Sequence, residues 1–279
     1  MYIDTHLDTL WAMRKQNRVF NVESKNGHVD LPRAQKAGLL AGFFTGFPTD
    51  NHYTTERMLR KWLEFTTNQS NKLIKIENSL QLDLLLEERK QTNQQLDYKI
   101  GAILHFEGAS GIDTELNRLY IYYNCGLRSM SVTWNEQNQF ATGVGPDNDH
   151  TRGFTPEGLD LLSTMNDLGI IIDVSHLNDK SFWDVINHTN GPVIASHSNL
   201  RKFADHPRNI TDEMVQAIAD CGGTIGINFC KGFLSTKDTH KANHRCALEM
   251  IREVVDLTGT SSVNIGSDFD GCTLPEDMN

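Results

Sequence analysis

Ile170-Ile171-Ile172-Asp173-Val174-Ser175-His176 is followed, after one helix-length interval, by Pro192-Val193-Ile194-Ala195-Ser196-His197. Each stretch is a short apolar run that ends in Ser-His. The two histidines are 21 residues apart. One helix and one strand fit that interval, so His176 and His197 are expected at equivalent places on neighbouring parallel strands. Strands covered on both faces read as continuous apolar runs of this kind.

The same pattern extends in both directions. Eight strand candidates lie at residues 2–6, 39–47, 98–106, 128–134, 169–175, 192–196, 223–229 and 262–267. Helical patterns separate most of them. Thr155-Pro156-Glu157 reads as an N-cap with proline in the first turn of a helix over 156–168. Thr211-Asp212-Glu213 opens another, and Ala247, Met250, Ile251, Val254 and Val255 share one face of 243–257. Residues 53–92 are too long for one helix and are expected to form two. Eight strands alternating with helices predict an eight-stranded parallel β/α (TIM) barrel of the metal-dependent hydrolase type, with a doubly wound open sheet as the alternative. A single domain over 1–279 is expected. The long Asn-, Gly- and Asp-rich connection 135–155 is expected to act as a lid. Only eleven residues follow Asp268, so the last barrel helix is expected to be missing, or the chain to be a C-terminally truncated piece. Apolar surface left by that helix would favour a homo-oligomer, most simply a dimer.

Composition narrows the function. Hydrophobic residues make up 38% and charged residues 22%, as in ordinary soluble domains. A net charge of −10 argues against a nucleic-acid partner, which needs a basic face. No apolar run is long enough for a membrane span, and structure is expected to begin at once after Met1, with no room for a signal peptide. The five cysteines have no C-x-x-C spacing. They are read as free thiols of a cytoplasmic protein, not as metal ligands.

Chemistry-bearing residues gather where the strands end. His6 and Asp8 follow Tyr2-Ile3, Glu107 follows Ile100 to Phe106, and Asp268 follows Val263-Asn264-Ile265-Gly266. The C-terminal strand ends of a β/α barrel converge on one face, which carries the active site. A lone histidine in an apolar strand is usually a packed core residue. Two in register, with Glu107 and the His6/Asp8 pair, read instead as a metal centre. His6 and Asp8 are spaced to share a strand face, and one carboxylate can bridge two ions. Five protein ligands exceed what one catalytic zinc uses, so two zinc ions are expected; manganese or cobalt suits the same ligands. His105 shares the face of Glu107 and is expected one layer deeper. Asp268 is placed for proton transfer. Asp270 is its rival, read as a turn former with Gly271.

These phrases together resemble the membrane (renal) dipeptidase family of dinuclear zinc peptidases, in a bacterial-type form. Ile3-Asp4-Thr5-His6-Leu7-Asp8, His28-Val29-Asp30-Leu31-Pro32, Phe106-Glu107-Gly108, Asp173-Val174-Ser175-His176, Arg208-Asn209 and Gly266-Ser267-Asp268-Phe269-Asp270-Gly271 carry the resemblance across the whole chain. It implies that His6, Asp8 and Glu107 hold one zinc, and that Glu107, His176 and His197 hold the other. It implies further that Arg208 takes the terminal carboxylate of a small peptide substrate and Asp268 moves a proton. Two positions depart from the family. Trp134 stands where relatives carry a substrate-facing histidine, and Cys230 where some carry a tyrosine. An indole offers a single donor; Asn135, His150 or Arg152 would have to stand in. The expected activity is dipeptide hydrolysis, with a D-residue tolerated at the C-terminal position. The alternatives are another metallohydrolase, acting on N-acyl amino acids, lactones or phosphoesters, and a non-catalytic metal-binding barrel.

Overall fold

The computed structural model describes residues 1–69, 72–91, 98–235 and 242–278. These form nine parallel strands: β1 (Tyr2–Leu7), β2 (Leu39–Gly46), β3 (Leu73–Lys75), β4 (Ile100–Glu107), β5 (Leu127–Ser131), β6 (Ile171–Asp173), β7 (Val193–Ala195), β8 (Thr224–Ile227) and β9 (Val263–Ile265). Eight of them close a barrel in the order β2-β1-β9-β8-β7-β6-β5-β4, sealed by pairing of β4 with β2. β3 lies outside this ring. It pairs with the lower part of β4 through Leu73↔Ile100 and Lys75↔Ala102, and β5 takes the upper part from Leu104 to Glu107.

Sequence reading missed β3, because a three-residue run carries no period. The two helices expected in that region are present as α3 (His52–Asn68) and α4 (Ser79–Gln91). Around them stand α1 (Thr9–Lys15), α2 (Leu31–Ala37), α5 (Asn117–Asn124), α6 (Pro156–Leu168), α7 (Asp179–His188), α8 (Asp212–Asp220), α9 (Lys231–Leu234) and α10 (His244–Thr258). Local chemistry sets their ends. Thr155 accepts from the Gly158 amide at the start of α6, and Thr211 from Met214 at the start of α8. Gly169 closes α6 in the left-handed conformation that glycine adopts without penalty. No helix among the described residues is long and apolar enough to cross a membrane.

The barrel interior is graded along its axis. On β4, Ile103, His105 and Glu107 alternate onto one face. Ile103 joins Ile3, Phe43, Ile171 and Ile194 around a cavity of about 840 Å³ at the N-terminal end. His105 is fully buried above it, and Glu107 opens into a separate cavity of about 920 Å³ at the C-terminal end. Between the ends the backbones crowd. A Cβ on Gly266 would sit 1.9 Å from the Ser196 carbonyl oxygen, so only glycine fits there.

The register confirms that the two Ser-His phrases are equivalent. Asp173 on β6 pairs with Ile194 on β7, and each lies three residues before its histidine. The strands are shorter than expected, so His176, His197 and Asp268 sit on the loops just beyond β6, β7 and β9. Glu107 is the last residue of β4.

Asp270 departs from its reading as a turn former. The turn is closed by the Gly271 amide donating to the Asp268 carbonyl at 3.1 Å. The Asp270 carboxylate turns away and is buried against Arg18, with Oδ2 accepting from Thr9 Oγ1 at 2.9 Å and Oδ1 from the His28 amide at 2.6 Å. Arg18 reaches on to the Val29 carbonyl. Asp270 therefore pins the loop after β9 to the segment between α1 and α2. Removing one partner from a buried ion pair strands the other charge. Asp270→Asn is expected to cost about 3–5 kcal/mol of unfolding free energy, measured by denaturant titration; a loss below about 1 kcal/mol would show that the anchor carries no weight.

Candidate metal centre and substrate cavity

The strand exits bring His6, Asp8, Glu107, His176 and His197 together, and all five are buried. Glu107 Oε1 lies at their centre, 2.9 Å from His176 Nε2, 3.5 Å from His197 Nε2 and 3.8 Å from His6 Nε2. Asp8 Oδ2 is 3.4 Å from His6 Nε2. The donor atoms fall into two overlapping groups able to hold an ion, His6 with Glu107 and His197, and His6 with Asp8 and Asp268. Both differ from the expected partition: the first joins His6 to Glu107 and His197 without His176, and the second sets Asp268 among the donors beside His6 and Asp8.

Hydrogen bonds fix which ring nitrogen faces inward. His176 Nδ1 is 2.8 Å from Asn135 Oδ1, which can only accept. The proton therefore sits on Nδ1, and Nε2 presents its lone pair. The Ser196 hydroxyl donates to Asp173 Oδ2 at 2.6 Å, so at 2.7 Å it accepts from His197 Nδ1. His197 Nε2 is then also a bare lone pair, 3.0 Å from that of His176. Two lone pairs facing each other repel, and a shared cation relieves the repulsion. His6 Nε2, which faces Asp8 and Glu107, and one oxygen of Asp8 are buried without a hydrogen-bond partner, as metal donors would be. The residues thus fit a divalent cation.

Electrostatics agree with neutral ligating imidazoles on β6 and β7. Burial, reinforced by Arg208 and His6, holds His176 and His197 well below the usual histidine range. At His6 burial works against charge, but Glu107 and Asp8 outweigh it and push the imidazole up to about 10. Burial raises the Glu107 carboxyl to about 8, opposed by His6. Burial likewise raises Asp268 to about 7, opposed by His6. Asn228 Nδ2 donates to Asp268 Oδ2 at 3.1 Å.

Two aspartates that sequence reading passed over hold the strand exits in place. Asp4 Oδ1 accepts from the amides of His6 and Ser267, each at 3.1 Å. Asp173 Oδ1 accepts from the amides of Ser175 at 3.0 Å and Ser196 at 2.8 Å. Both signals were in the sequence, as an aspartate two or three residues before a ligand histidine. His105 lies one layer down as expected, with Nδ1 3.0 Å from Ser129 Oγ and Nε2 3.6 Å from Asp173 Oδ2.

The cavity over the donors is lined by Arg208, Trp134, Cys230 and Asp268, together with Trp11, Phe47, Phe233 and Lys231. Arg208 is buried. One guanidinium nitrogen donates to the His197 carbonyl at 3.0 Å, and Nε has no partner. Among the described residues no carboxylate forms a salt bridge with it, so it is not tied up as a surface ion pair. Trp134 is 40% exposed, with its ring 5.3 Å from Phe47 and 6.2 Å from His176. The connection 135–155 contributes Asn135, Glu136, Val144, Gly145, Pro146 and His150 to the cavity wall; Arg152 does not line it. Trp11, Phe47 and Phe233 carried no sequence signal, because only tertiary folding brings them to the mouth.

Comparison with known proteins agrees with this geometry. The family model for membrane dipeptidase, peptidase family M19, matches residues 1–279. A protein encoded in the pqqA 5′ region of Klebsiella pneumoniae is 38% identical over 189 residues, covering 65% of this chain and 69% of its own length. The crystal structure of dipeptidase AC, an M19 metallopeptidase, superposes with a TM-score of 0.87 at 26% identity, over 99% of this chain and 86% of that one. A metallopeptidase from Rhodobacter sphaeroides, liganded with a phosphinate mimic of the dipeptide L-Ala-D-Ala, superposes with a TM-score of 0.86 at 25% identity, over 99% and 87%. The chain, a closed β/α barrel with buried metal donors at its C-terminal mouth, belongs to the membrane dipeptidase family, the metallo-dipeptidases of peptidase family M19.

Proposed function

We propose that this metallo-dipeptidase works with two zinc ions and hydrolyses dipeptides, including those with a D-residue at the C-terminal position. The observation that carries the reading is one cavity lined by Asp8, Glu107, His176 and His197, with His6 buried against them, and by a buried guanidinium that no described carboxylate pairs. His6, Asp8 and Glu107 would hold one ion, with Glu107, His176 and His197 holding the other. When bound, the ions supply Lewis acidity toward a carbonyl oxygen and lower the pKa of water.

The rest of the chemistry belongs to the side chains. Arg208 takes the free carboxylate of the substrate, using a planar fork that matches two oxygens. That demand sets the bond cleaved as the one before the C-terminal residue. Asp268 accepts the proton of the attacking water and returns it to the departing amine. Asn228 occupies Oδ2, which leaves Oδ1 to carry the proton. Asn135 and Ser196 keep the imidazoles in the ligating tautomer. Trp134 faces the substrate beside Phe47 and narrows the side chains admitted. The phosphinate bound by the Rhodobacter sphaeroides relative mimics L-Ala-D-Ala, which supports a D-residue beside the carboxylate. Metal analysis of purified protein, with turnover of matched L,L and L,D dipeptides, tests the whole reading. It expects about two zinc per chain and hydrolysis of both series. Absence of hydrolysis by metal-replete protein would overturn it.

Asp268→Asn is expected to retain both metals and lose about 10²–10⁴-fold in kcat. A fall in metal content would instead make Asp268 a ligand, and wild-type turnover would remove it from the chemistry. Trp134→His is expected to change the ranking of kcat/KM across a dipeptide panel without changing metal content. An identical ranking would place the indole outside the substrate path.

A further inference from the structure

Two thiols meet in the wall of this cavity. Cys230 follows β8, Cys272 follows β9, and both are free and half-buried. The Phe229 amide donates to the Ser267 carbonyl at 3.2 Å and the Lys231 amide to the Thr273 carbonyl at 3.0 Å, which clamps the two segments side by side. That clamp brings the two thiols to one stretch of wall, where each bears on the titration of the other. Both cysteines line the cavity that holds Arg208.

We propose that Cys230 and Cys272 form an oxidisable dithiol that takes small disulfides as its reactant, with Cys230 as the attacking sulfur and Cys272 as the resolving one. The environment differentiates the pair. The neighbouring Cys272 thiol, opposed by burial and helped by nearby backbone amides and Arg208, draws Cys230 down to about 6. The same neighbour, together with burial, pushes Cys272 up. A thiolate, not a thiol, attacks a disulfide. Cys230 thiolate attacks one sulfur of a glutathione-type disulfide, forms a mixed disulfide and expels one thiolate. Cys272 then loses its proton and attacks the Cys230 sulfur, which expels the second thiolate. The chain loses two electrons and two hydrogens, and the small disulfide becomes two thiols. The remaining cysteines sit elsewhere, at the ends of α5 and α8 and within α10. Oxidation would replace a thiolate beside Arg208 with a neutral bridge and fasten together the two loops that wall the substrate cavity.

The readout is chemical and independent of peptide hydrolysis. The native full chain is incubated with oxidised glutathione, quenched with acid, alkylated and mapped by mass spectrometry. The expected product has lost two hydrogens, carries a Cys230–Cys272 cross-link, keeps three of its five cysteines alkylatable and returns to the starting mass with dithiothreitol. Cys272→Ser is expected to stop at a glutathione adduct on Cys230, and Cys230→Ser to leave Cys272 unreacted. A lasting adduct on wild-type Cys230, a cross-link to another cysteine, or no reaction would each overturn the proposal. The wild-type map stands even if a variant does not fold.

Discussion

Two buried aspartates give the barrel mouth its geometry. A parallel strand that ends leaves its next backbone amides without a ladder partner, and buried amides must be satisfied. Asp4 satisfies those of His6 and Ser267, and Asp173 those of Ser175 and Ser196. Each carboxylate thereby joins neighbouring strand exits, β1 to β9 and β6 to β7. The ligand side chains leave the barrel from backbone held at both ends. Burial holds the Asp4 carboxyl up at about 6 even against these hydrogen bonds, so the arrangement is costly and is kept for what it positions.

The same logic runs inward through side chains. Asp173 orients Ser196, Ser196 orients the His197 ring, and the ring offers Nε2 to the centre. Asn135, from the loop after β5, performs the equivalent service for His176. Orientation by outer partners raises the basicity of a ligand and prevents it from flipping to the wrong tautomer. The candidate metal centre is therefore built from both the strands and a long loop.

Much of this was legible in residue order. Apolar runs ending in histidine or carboxylate located the barrel and the five side chains that meet at its mouth, because strand ends converge by topology alone. The Pro156 and Thr211 signals located helix starts, since capping is local. What sequence could not give depends on distant partners. The three residues of β3 are strand only because β4 offers a free lower edge. Asp270 seemed a turn former until Arg18, more than two hundred residues away in the chain, was seen to meet it. The aromatic lining from Trp11, Phe47 and Phe233 comes from α1, the loop after β2 and α9, three elements far apart in the chain. The standing of Asp268 among the donors beside His6 and Asp8 is likewise a matter of ångström-scale packing at the mouth, not of spacing along the chain.

The backbone itself carries a mark of this site. His176, Asp268 and Asp270 adopt φ values of 70°, 59° and 72°, a region that residues with a β-carbon avoid. Each such residue costs of order 1–3 kcal/mol. At His176 and Asp268 glycine would sit more comfortably but would delete an imidazole or a carboxylate, whereas at Asp270 it would also break the buried pair with Arg18. Selection for thermal resilience and selection for hydrolysis thus pull in opposite directions at His176 and Asp268. Variants evolved purely for heat tolerance should drift toward glycine at those two positions and lose their chemistry first, while mutational robustness accumulates in the outer helices, where no such conflict exists.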